Sequence, residues 1–193
     1  MGAPKPPTFA RMDVPASRAF VPREGVLHAE GVDLRALAEA LGTPTWVYAA
    51  SAVDAAYDAV DGAMRQASGG DHVVAYAIKA NGNLALLRRL AARGCGADIV
   101  SGGELERVLR AGIDPAKVVF SGVGKTREEL AAALEAGIKA VHVESASELR
   151  ALAAVARDKG VVADFAFRVN PDVDAKTHPY IATGLHDTKF GLE

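Results

Sequence analysis

Residues 94–112 read GCGADIVSGGELERVLRAG, and this stretch contains one complete strand–helix unit. Ala97 to Val100 predicts a short apolar strand, and Leu105 and Val108 lie on one face of the helix that follows. Gly112 then ends the helix, because glycine adopts the left-handed conformation that closes a helix at little cost. The stretch therefore predicts one β-strand followed by one α-helix.

The same unit recurs along most of the chain. Five strand candidates start roughly 20 to 24 residues apart, with a helical segment between neighbours: Val73 to Ile78, Ala97 to Val100, Lys117 to Phe120, Ala140 to Val143 and Val162 to Val169. The intervening helices end at glycines: Gly94, Gly112, Gly137 and Gly160. The strands are almost continuously apolar, which is typical of parallel strands covered on both faces. We therefore expect an α/β fold with a parallel sheet.

The N-terminal part has another pattern. Its first 24 residues hold five of the nine prolines and predict an irregular lead-in. Gly25 to Glu30 predicts a short edge strand, Asp33 to Leu41 a helix capped by its aspartate, and Thr45 to Tyr48 a further strand. Ser51 is then expected to cap a long alanine-rich helix that reaches Gly69.

The composition excludes several classes of protein. Half of the 193 residues are hydrophobic, which predicts a packed core, and 22 Lys+Arg against 24 Asp+Glu leave no basic surplus for nucleic acid. No apolar run is long enough to cross a bilayer or typical of a signal peptide, so we expect a cytoplasmic protein without a membrane partner. The single cysteine, Cys95, provides neither an internal disulfide nor a cysteine-based metal site, and no metal is expected.

Two glycine-containing turns decide between kinds of α/β protein. The turn from Lys79 to Asn83 lacks the G-x-G-x-x-G pattern of dinucleotide-binding open sheets. Ser121 to Thr126 reads SGVGKT and ends like a phosphate-binding P-loop, but position 119 is valine where that motif needs glycine. These departures favour a closed βα barrel over a nucleotide-binding sheet.

Polar residues follow each predicted strand: Lys79 and Asn81, Ser101, Ser121, Glu144 and Ser145, and Arg168 and Asn170. In a parallel βα barrel these ends converge on the face where active sites are built. The serines at 101, 121 and 145 have a second interpretation, since each precedes a helix that it could cap.

Lys79 follows an apolar strand, where an amine must be neutral, paired or used covalently. A neutral lysine amine is the species that attacks an aldehyde. The alternative is a lysine that extends into solvent or pairs with Asp98 or Glu144.

Four stretches resemble one family of enzymes. Tyr76 to Asn81 (YAIKAN) resembles the lysine motif of the barrel-type, alanine-racemase-like enzymes that use pyridoxal 5'-phosphate (PLP). Three further stretches resemble the diaminopimelate decarboxylase family more specifically, within the ornithine, diaminopimelate and arginine decarboxylase group. They are GADIVSGGEL at 96–105, RVNPDV at 168–173, and HPYIATG at 178–184 with KFG at 189–191.

The resemblance implies a PLP-binding (β/α)8 barrel in which Lys79 is the catalytic residue and holds the cofactor. Arg168 matches a strand-end arginine near the phenolic oxygen of PLP, with an ion pair to Asp98 or Asp172 as the alternative. Asp98 matches an acidic residue beside the cofactor, with a turn or helix-cap role as its alternative. Three further matches imply residues that shape the substrate pocket: Asn81, Asn170 and His178.

The activity that the resemblance implies is decarboxylation of meso-2,6-diaminopimelate to L-lysine and CO2 by a homodimer. Another basic amino-acid decarboxylase, a racemase of the same fold, and a non-catalytic PLP-binding barrel remain alternatives. A complete barrel needs eight strands and roughly 250 residues, and we count five here, with a sixth starting near Gly191. We therefore expect residues 1–45 to belong to a β-domain and residues 46–193 to form a partial barrel that alone neither turns over substrate nor holds PLP tightly.

Overall fold

A parallel sheet organises the second of the two units into which the chain divides, Met1–His72 and Val73–Glu193. The structure is a computed structural model, and it describes residues 19–170 and 191–192. The strands of the sheet lie side by side in chain order, each parallel to its neighbour: β4 (Ala75–Ala77), β5 (Gly96–Ile99), β6 (Val118–Phe120), β7 (Ala140–Val143) and β8 (Phe165–Phe167). This order confirms the predicted α/β class and is that of a barrel wall, because an open doubly wound sheet reverses its strand order at a switch point.

The strand boundaries follow the pairing with neighbouring strands. β7 has the predicted limits, whereas the first and fifth strands are shorter than the apolar runs that predicted them. Val162 lies in the fifth run, is 94% exposed and precedes the paired residues of β8. Beyond β8, Val169 makes an isolated parallel bridge with Leu192. An apolar run becomes strand only where a partner accepts its backbone hydrogen bonds.

Four α-helices of this unit connect the strands: α3 (Leu84–Ala91), α4 (Gly102–Ala111), α5 (Arg127–Ala136) and α6 (Ala146–Lys159). Three of them end at a left-handed glycine, as predicted: Gly112, Gly137 and Gly160. The prediction for Gly94 was wrong, because α3 ends with Ala92 as its C-cap and Gly94 lies in the turn beyond it. Short 3-10 turns cover Ile78–Ala80 and Pro115–Lys117.

Serine caps explain two of the four helix starts. The Ser101 hydroxyl accepts the N–H of Glu104, and the Ser145 hydroxyl accepts the N–H of Glu148. Ser121 caps no helix, because α5 begins six residues later behind Thr126, whose side chain makes a reciprocal capping box with Glu129. The capping interpretation is therefore right for two serines and wrong for the third.

Two apolar clusters join the strands to the helices. One contains Ile99 and Phe120 from the sheet with Leu87 from α3, and the other contains Val141 with Leu152 from α6. Each of these side chains is at most 1% exposed, which is worth about 1.5–3 kcal/mol per residue relative to exposure. Cys95 is also buried, at 2% exposure, as expected of a small packing residue.

The unit Met1–His72 contains a small antiparallel sheet of β1 (Phe20–Arg23), β2 (Val26–Ala29) and β3 (Val32–Asp33). β2 was predicted as an edge strand and is the central one, since it pairs with β1 and β3. β1 lies in the stretch predicted to be irregular. Its proline did not prevent pairing, because an outer strand of a sheet tolerates a missing N–H donor.

Two helices complete this unit, α1 (Leu34–Leu41) and α2 (Ala50–Ser68). Asp33 caps α1 as predicted. Ser51 does not cap α2, which begins one residue earlier, and its backbone N–H instead donates to Glu30 Oε1 at 2.7 Å. Thr45 to Tyr48 form no strand, and Trp46 there is 85% exposed. Within residues 19–170, no helix combines the length and apolar character that a bilayer-spanning segment needs.

Gly96→Ala is expected to destabilise the sheet. A Cβ at this position would lie 2.2 Å from the carbonyl oxygen of Lys117 and 2.9 Å from Val73 Cγ1, so the neighbouring backbone must shift. We expect the free energy of unfolding to fall by about 1–3 kcal/mol, measured by urea unfolding. Gly103→Ala in α4 is the matched control, because its Cβ meets no atom closer than 4.0 Å and should leave stability equal or higher. Equal stability of the two variants would contradict the steric argument.

Glu129 is expected to make stability depend on acid. The backbone N–H groups of Thr126 and Gly102 donate to its carboxylate, which lowers its pKa below the ordinary 4.5. A carboxyl whose folded pKa is lowered stabilises the fold fully above its unfolded pKa, and this contribution disappears as pH falls through the folded pKa. Glu129→Gln should therefore flatten the loss of thermal stability between about pH 5 and about pH 3. Glu128→Gln, an exposed neighbour in the same turn, serves as control and should keep the wild-type slope.

Candidate functional site

Five polar side chains meet at the carboxyl ends of the five parallel strands. A pocket of about 300 Å³ is lined by Lys79, Asp98, Ser121, His142, Ala166, Phe167 and Arg168. Each strand from β4 to β8 contributes one polar residue, either from its last two residues or from the first two residues that follow it. Parallel strands in register bring these ends to the same edge, so residues far apart in sequence share one cavity.

Lys79 lies in the 3-10 turn that directly follows β4. Its neighbour Ile78 is 1% exposed and anchors the turn in the core, whereas Lys79 itself is exposed. The expectation of an amine held in apolar surroundings is therefore not met within the described residues, and the side chain extends into solvent as the alternative interpretation had it. Its Nζ is accessible to a ligand that enters the pocket.

Asp98, Ser121 and His142 form a hydrogen-bonded chain across three neighbouring strands. The Ser121 hydroxyl donates to Asp98 Oδ1 at 2.5 Å, and Ser121 Oγ lies 2.9 Å from His142 Nδ1. Asp98 is in β5, Ser121 follows β6, and His142 is in β7. Ser121 thus contacts two side chains of the pocket, in place of the capping role that it does not have.

Arg168 is paired with a carboxylate that sequence reasoning did not assign to it. Its Nη1 donates to Glu144 Oε1 at 2.9 Å, with the Glu144 side chain 4% exposed and that of Arg168 37% exposed. The predicted alternative was a pair with Asp98 or Asp172. Asp98 instead accepts from Ser121, and Asp172 lies outside the described residues. Glu144 is the partner because it directly follows β7, the strand adjacent to β8.

A buried lysine fixes the backbone behind this pair. Lys125 has a side chain 1% exposed, and its amine donates to the carbonyls of Gly122 and His142 and to Glu148 Oε1, the last two at 2.8 Å. The other oxygen of Glu148 accepts the N–H of Glu144 at 2.7 Å. The lysine of the SGVGKT sequence is therefore saturated by protein acceptors, which agrees with the rejection of a P-loop.

The remaining predicted site residues lie outside the lining of this pocket or outside the described part of the chain. Asn81 Oδ1 accepts the N–H of Asn83 at 3.0 Å, just before α3. Asn170 follows Arg168 by two residues, and its backbone N–H donates to the carbonyl oxygen of Leu192 at 2.7 Å. His178 lies outside the described residues.

Sequence reasoning missed His142, Lys125 and Glu148. His142 had a usable signal, since it is the only polar residue of the strand Ala140–Val143. Glu148 stands three residues after Ser145, a spacing that indicates helix capping and gives no hint of the lysine. Nothing near Lys125 in the sequence indicates that its amine binds the carbonyl of His142 and the carboxylate of Glu148, which are 17 and 23 positions away.

The residues present fit a small carbonyl cofactor with acidic and phenolic oxygens. Lys79 supplies a primary amine for a covalent bond to an aldehyde, and Arg168 and Asp98 supply one cationic and one anionic group for polar atoms of a ring. A cavity of about 300 Å³ is at the lower end of the volumes of small-molecule sites. Within residues 19–170 and 191–192, no group of three or more His, Cys, Asp or Glu side chains could hold a metal ion.

Known proteins resemble the chain over most of its length. It is 55% identical over 173 residues to the diaminopimelate decarboxylase of Pseudomonas aeruginosa, and the matched region covers 90% of this chain and 41% of that protein. The corresponding enzyme of Vibrio cholerae is 53% identical over 171 residues, covering 88% and 40%. The chain thus spans about two fifths of the length of the curated relatives that it matches.

Solved structures agree with these relatives. Diaminopimelate decarboxylase from M. jannaschii in complex with L-lysine superposes with a TM-score of 0.83 at 41% identity, over 92% of this chain and 42% of that one. The Helicobacter pylori enzyme complexed with L-lysine gives a TM-score of 0.78 at 41% identity, over 82% and 40%. These likenesses confirm the partial barrel. The sequence model of the pyridoxal-dependent decarboxylases, pyridoxal-binding domain, matches residues 53–193, and the chain therefore belongs to this family.

Proposed function

We propose that the chain is the amino-terminal part of a PLP-dependent decarboxylase that converts meso-2,6-diaminopimelate to L-lysine and CO2. The observation that carries this proposal is the position of Lys79 in one pocket with Asp98 and Arg168, at the carboxyl ends of the strands. The identities of 46–55% to proteins named diaminopimelate decarboxylase support this substrate. L-lysine, the proposed product, is the ligand in the H. pylori and M. jannaschii structures.

Lys79 would hold PLP through its Nζ. When bound, PLP supplies the electron-poor ring that takes up the electrons released as the carboxylate leaves. Arg168, held by Glu144, would donate to the phenolic oxygen of the cofactor, because its guanidinium is fixed on one side by the ion pair. Asp98 would place a carboxylate beside the cofactor, with one oxygen fixed by Ser121.

The substrate-facing residues follow from the same positions. Asn81, Asn170 and His178 would shape the pocket around the amino acid, and the orientation that they impose must align the bond to the carboxylate with the cofactor ring. We further propose that residues 1–45 belong to a β-domain, that residues 46–193 form part of the barrel, and that the complete enzyme is a cytoplasmic homodimer.

Other activities of the same fold are less well supported. The lysine/ornithine decarboxylase of Vibrio vulnificus superposes with a TM-score of 0.62 at 22% identity, which shows a shared fold alone. A racemase, a decarboxylase of another basic amino acid and a non-catalytic PLP-binding barrel would each keep Lys79. They differ in product, so a substrate test separates them.

Reductive trapping tests the cofactor anchor. Borohydride treatment of the complete, PLP-loaded decarboxylase that contains this chain should leave a pyridoxyl label on the peptide carrying Lys79, found by mass spectrometry. Lys79→Ala should lose the label and lower kcat by roughly a thousandfold or more. Lys117→Arg is the control, because the Lys117 amine donates to the Gly94 carbonyl, away from the pocket, and the variant should keep both label and turnover. A label on any other lysine would refute the assignment.

A substrate panel tests the reaction. The complete enzyme should release CO2 from meso-2,6-diaminopimelate with L-lysine as product, at least about a hundredfold faster in kcat/KM than from L-lysine, L-ornithine or L-arginine, because buried polar groups left unpaired by the wrong substrate are costly. Racemisation of alanine should be absent. Bound PLP without CO2 release from any amino acid would instead support a non-catalytic barrel.

A further inference from the structure

We propose that His142 is a positioning residue that carries its proton on Nδ1 and thereby sets the direction of the Asp98–Ser121–His142 chain. The role of this chain in the reaction rests on the proposed function, whereas the position of the proton does not. His142 would act through Ser121 on Asp98.

The direction follows from the number of protons that each group has. A carboxylate only accepts hydrogen bonds, and a serine hydroxyl has one proton to donate. The Ser121 oxygen lies 2.5 Å from Asp98 Oδ1 and donates its proton there. At 2.9 Å from the same oxygen, His142 Nδ1 must then be the donor of the second hydrogen bond. A neutral His142 ring would have its proton on Nδ1 and its lone pair on Nε2.

The backbone of His142 is held independently of its ring. Lys125, with a side chain 1% exposed, donates to the carbonyl oxygen of His142 at 2.8 Å. The strands are also in register, since Asp98 pairs with Val119 in β6 and Val119 pairs with Ala140 in β7. The backbone from which the ring extends is therefore placed by the sheet and by a buried cation, and the ring reaches Ser121 from that position.

The consequence concerns the Asp98 carboxylate. With Oδ1 held by Ser121, the carboxylate has a fixed orientation in the pocket that it lines with Lys79 and Arg168. If His142 offered no proton, Ser121 could turn its own proton towards the ring, and Asp98 would lose the hydrogen bond that orients it. His142 thus keeps the serine pointed at the carboxylate.

The position of the proton can be measured directly. In the complete protein with ring-15N-labelled histidine, at about pH 8.5, above the range in which histidine usually takes up a proton, the His142 resonances should show a protonated Nδ1 and an unprotonated Nε2. His142→Asn identifies these resonances by deleting them. Ser121→Ala removes the acceptor and should shift the ring towards the Nε2–H form. An Nε2–H ring in the wild type would overturn the proposal, whatever the enzyme catalyses.

A matched pair of variants tests the consequence for the reaction. Asparagine and leucine have the same branching, but only His142→Asn keeps an N–H donor at the position of Nδ1. His142→Asn should retain kcat/KM within about threefold, and His142→Leu should lower it by about tenfold or more, as expected for loss of a hydrogen bond that orients a charged group. The visible circular dichroism of bound PLP should change in the leucine variant alone.

Equal activity or equal loss in the two variants would overturn the positioning role, because a purely steric contribution of the ring treats both alike. If His142→Leu fails to fold, Ser121→Ala provides the same comparison with Ser121→Thr, which keeps the hydroxyl. Failure of the wild type to release CO2 from meso-2,6-diaminopimelate would refute the proposed function and leave the nitrogen assignment standing.

Discussion

The pocket depends on a buried ammonium group. Lys125 joins the loop after β6, the backbone of β7 and the first turn of α6. A lysine amine is costly to bury unless its donors are satisfied, and here the three donors meet three acceptors. The Phe120 ring lies 5.5 Å from the amine and adds a favourable electrostatic contact. Because these acceptors belong to different elements, their relative placement is set by a single charge.

Two side-chain arrangements are built on that constraint. Glu148 receives the lysine on one oxygen and the N–H of Glu144 on the other, which places the carboxylate that holds Arg168. The carbonyl of His142 accepts from the same amine, which fixes the backbone that carries the ring beside Ser121. The hydrogen bonds that hold Arg168 and those that hold Asp98 therefore both lead back to Lys125. This arrangement explains how the pocket presents ordered polar groups.

Sequence reasoning was accurate where the cause of a structure lies within a few residues. Gly112, Gly137 and Gly160 close helices, Ser101 and Ser145 start them, and β7 has its predicted bounds, because capping and periodicity are local. It was wrong for Thr45 to Tyr48 and for the shortened β8, where an apolar run needs a neighbouring strand that sequence alone does not show. Topology predicted Lys79, Ser121 and Arg168 at the strand ends, whereas Asp98 came from the family resemblance and His142 was missed. The pairings did not follow from the sequence, since Glu144 with Arg168 and Ser121 with Asp98 are 24 and 23 positions apart.

The environments of Lys79 and Lys125 give two lysines of one small domain opposite chemical characters. The side chain after β4 is exposed, whereas the side chain after β6 is 1% exposed and its amine donates to three protein acceptors. An arginine in place of the buried lysine would present a planar guanidinium group to three acceptors that are arranged around a compact ammonium group, so its geometry would not match theirs. Within one barrel wall, the same residue type thus lies once at the mouth of a pocket and once inside the protein as a counter-ion, and both solvent access and hydrogen bonding distinguish the two positions.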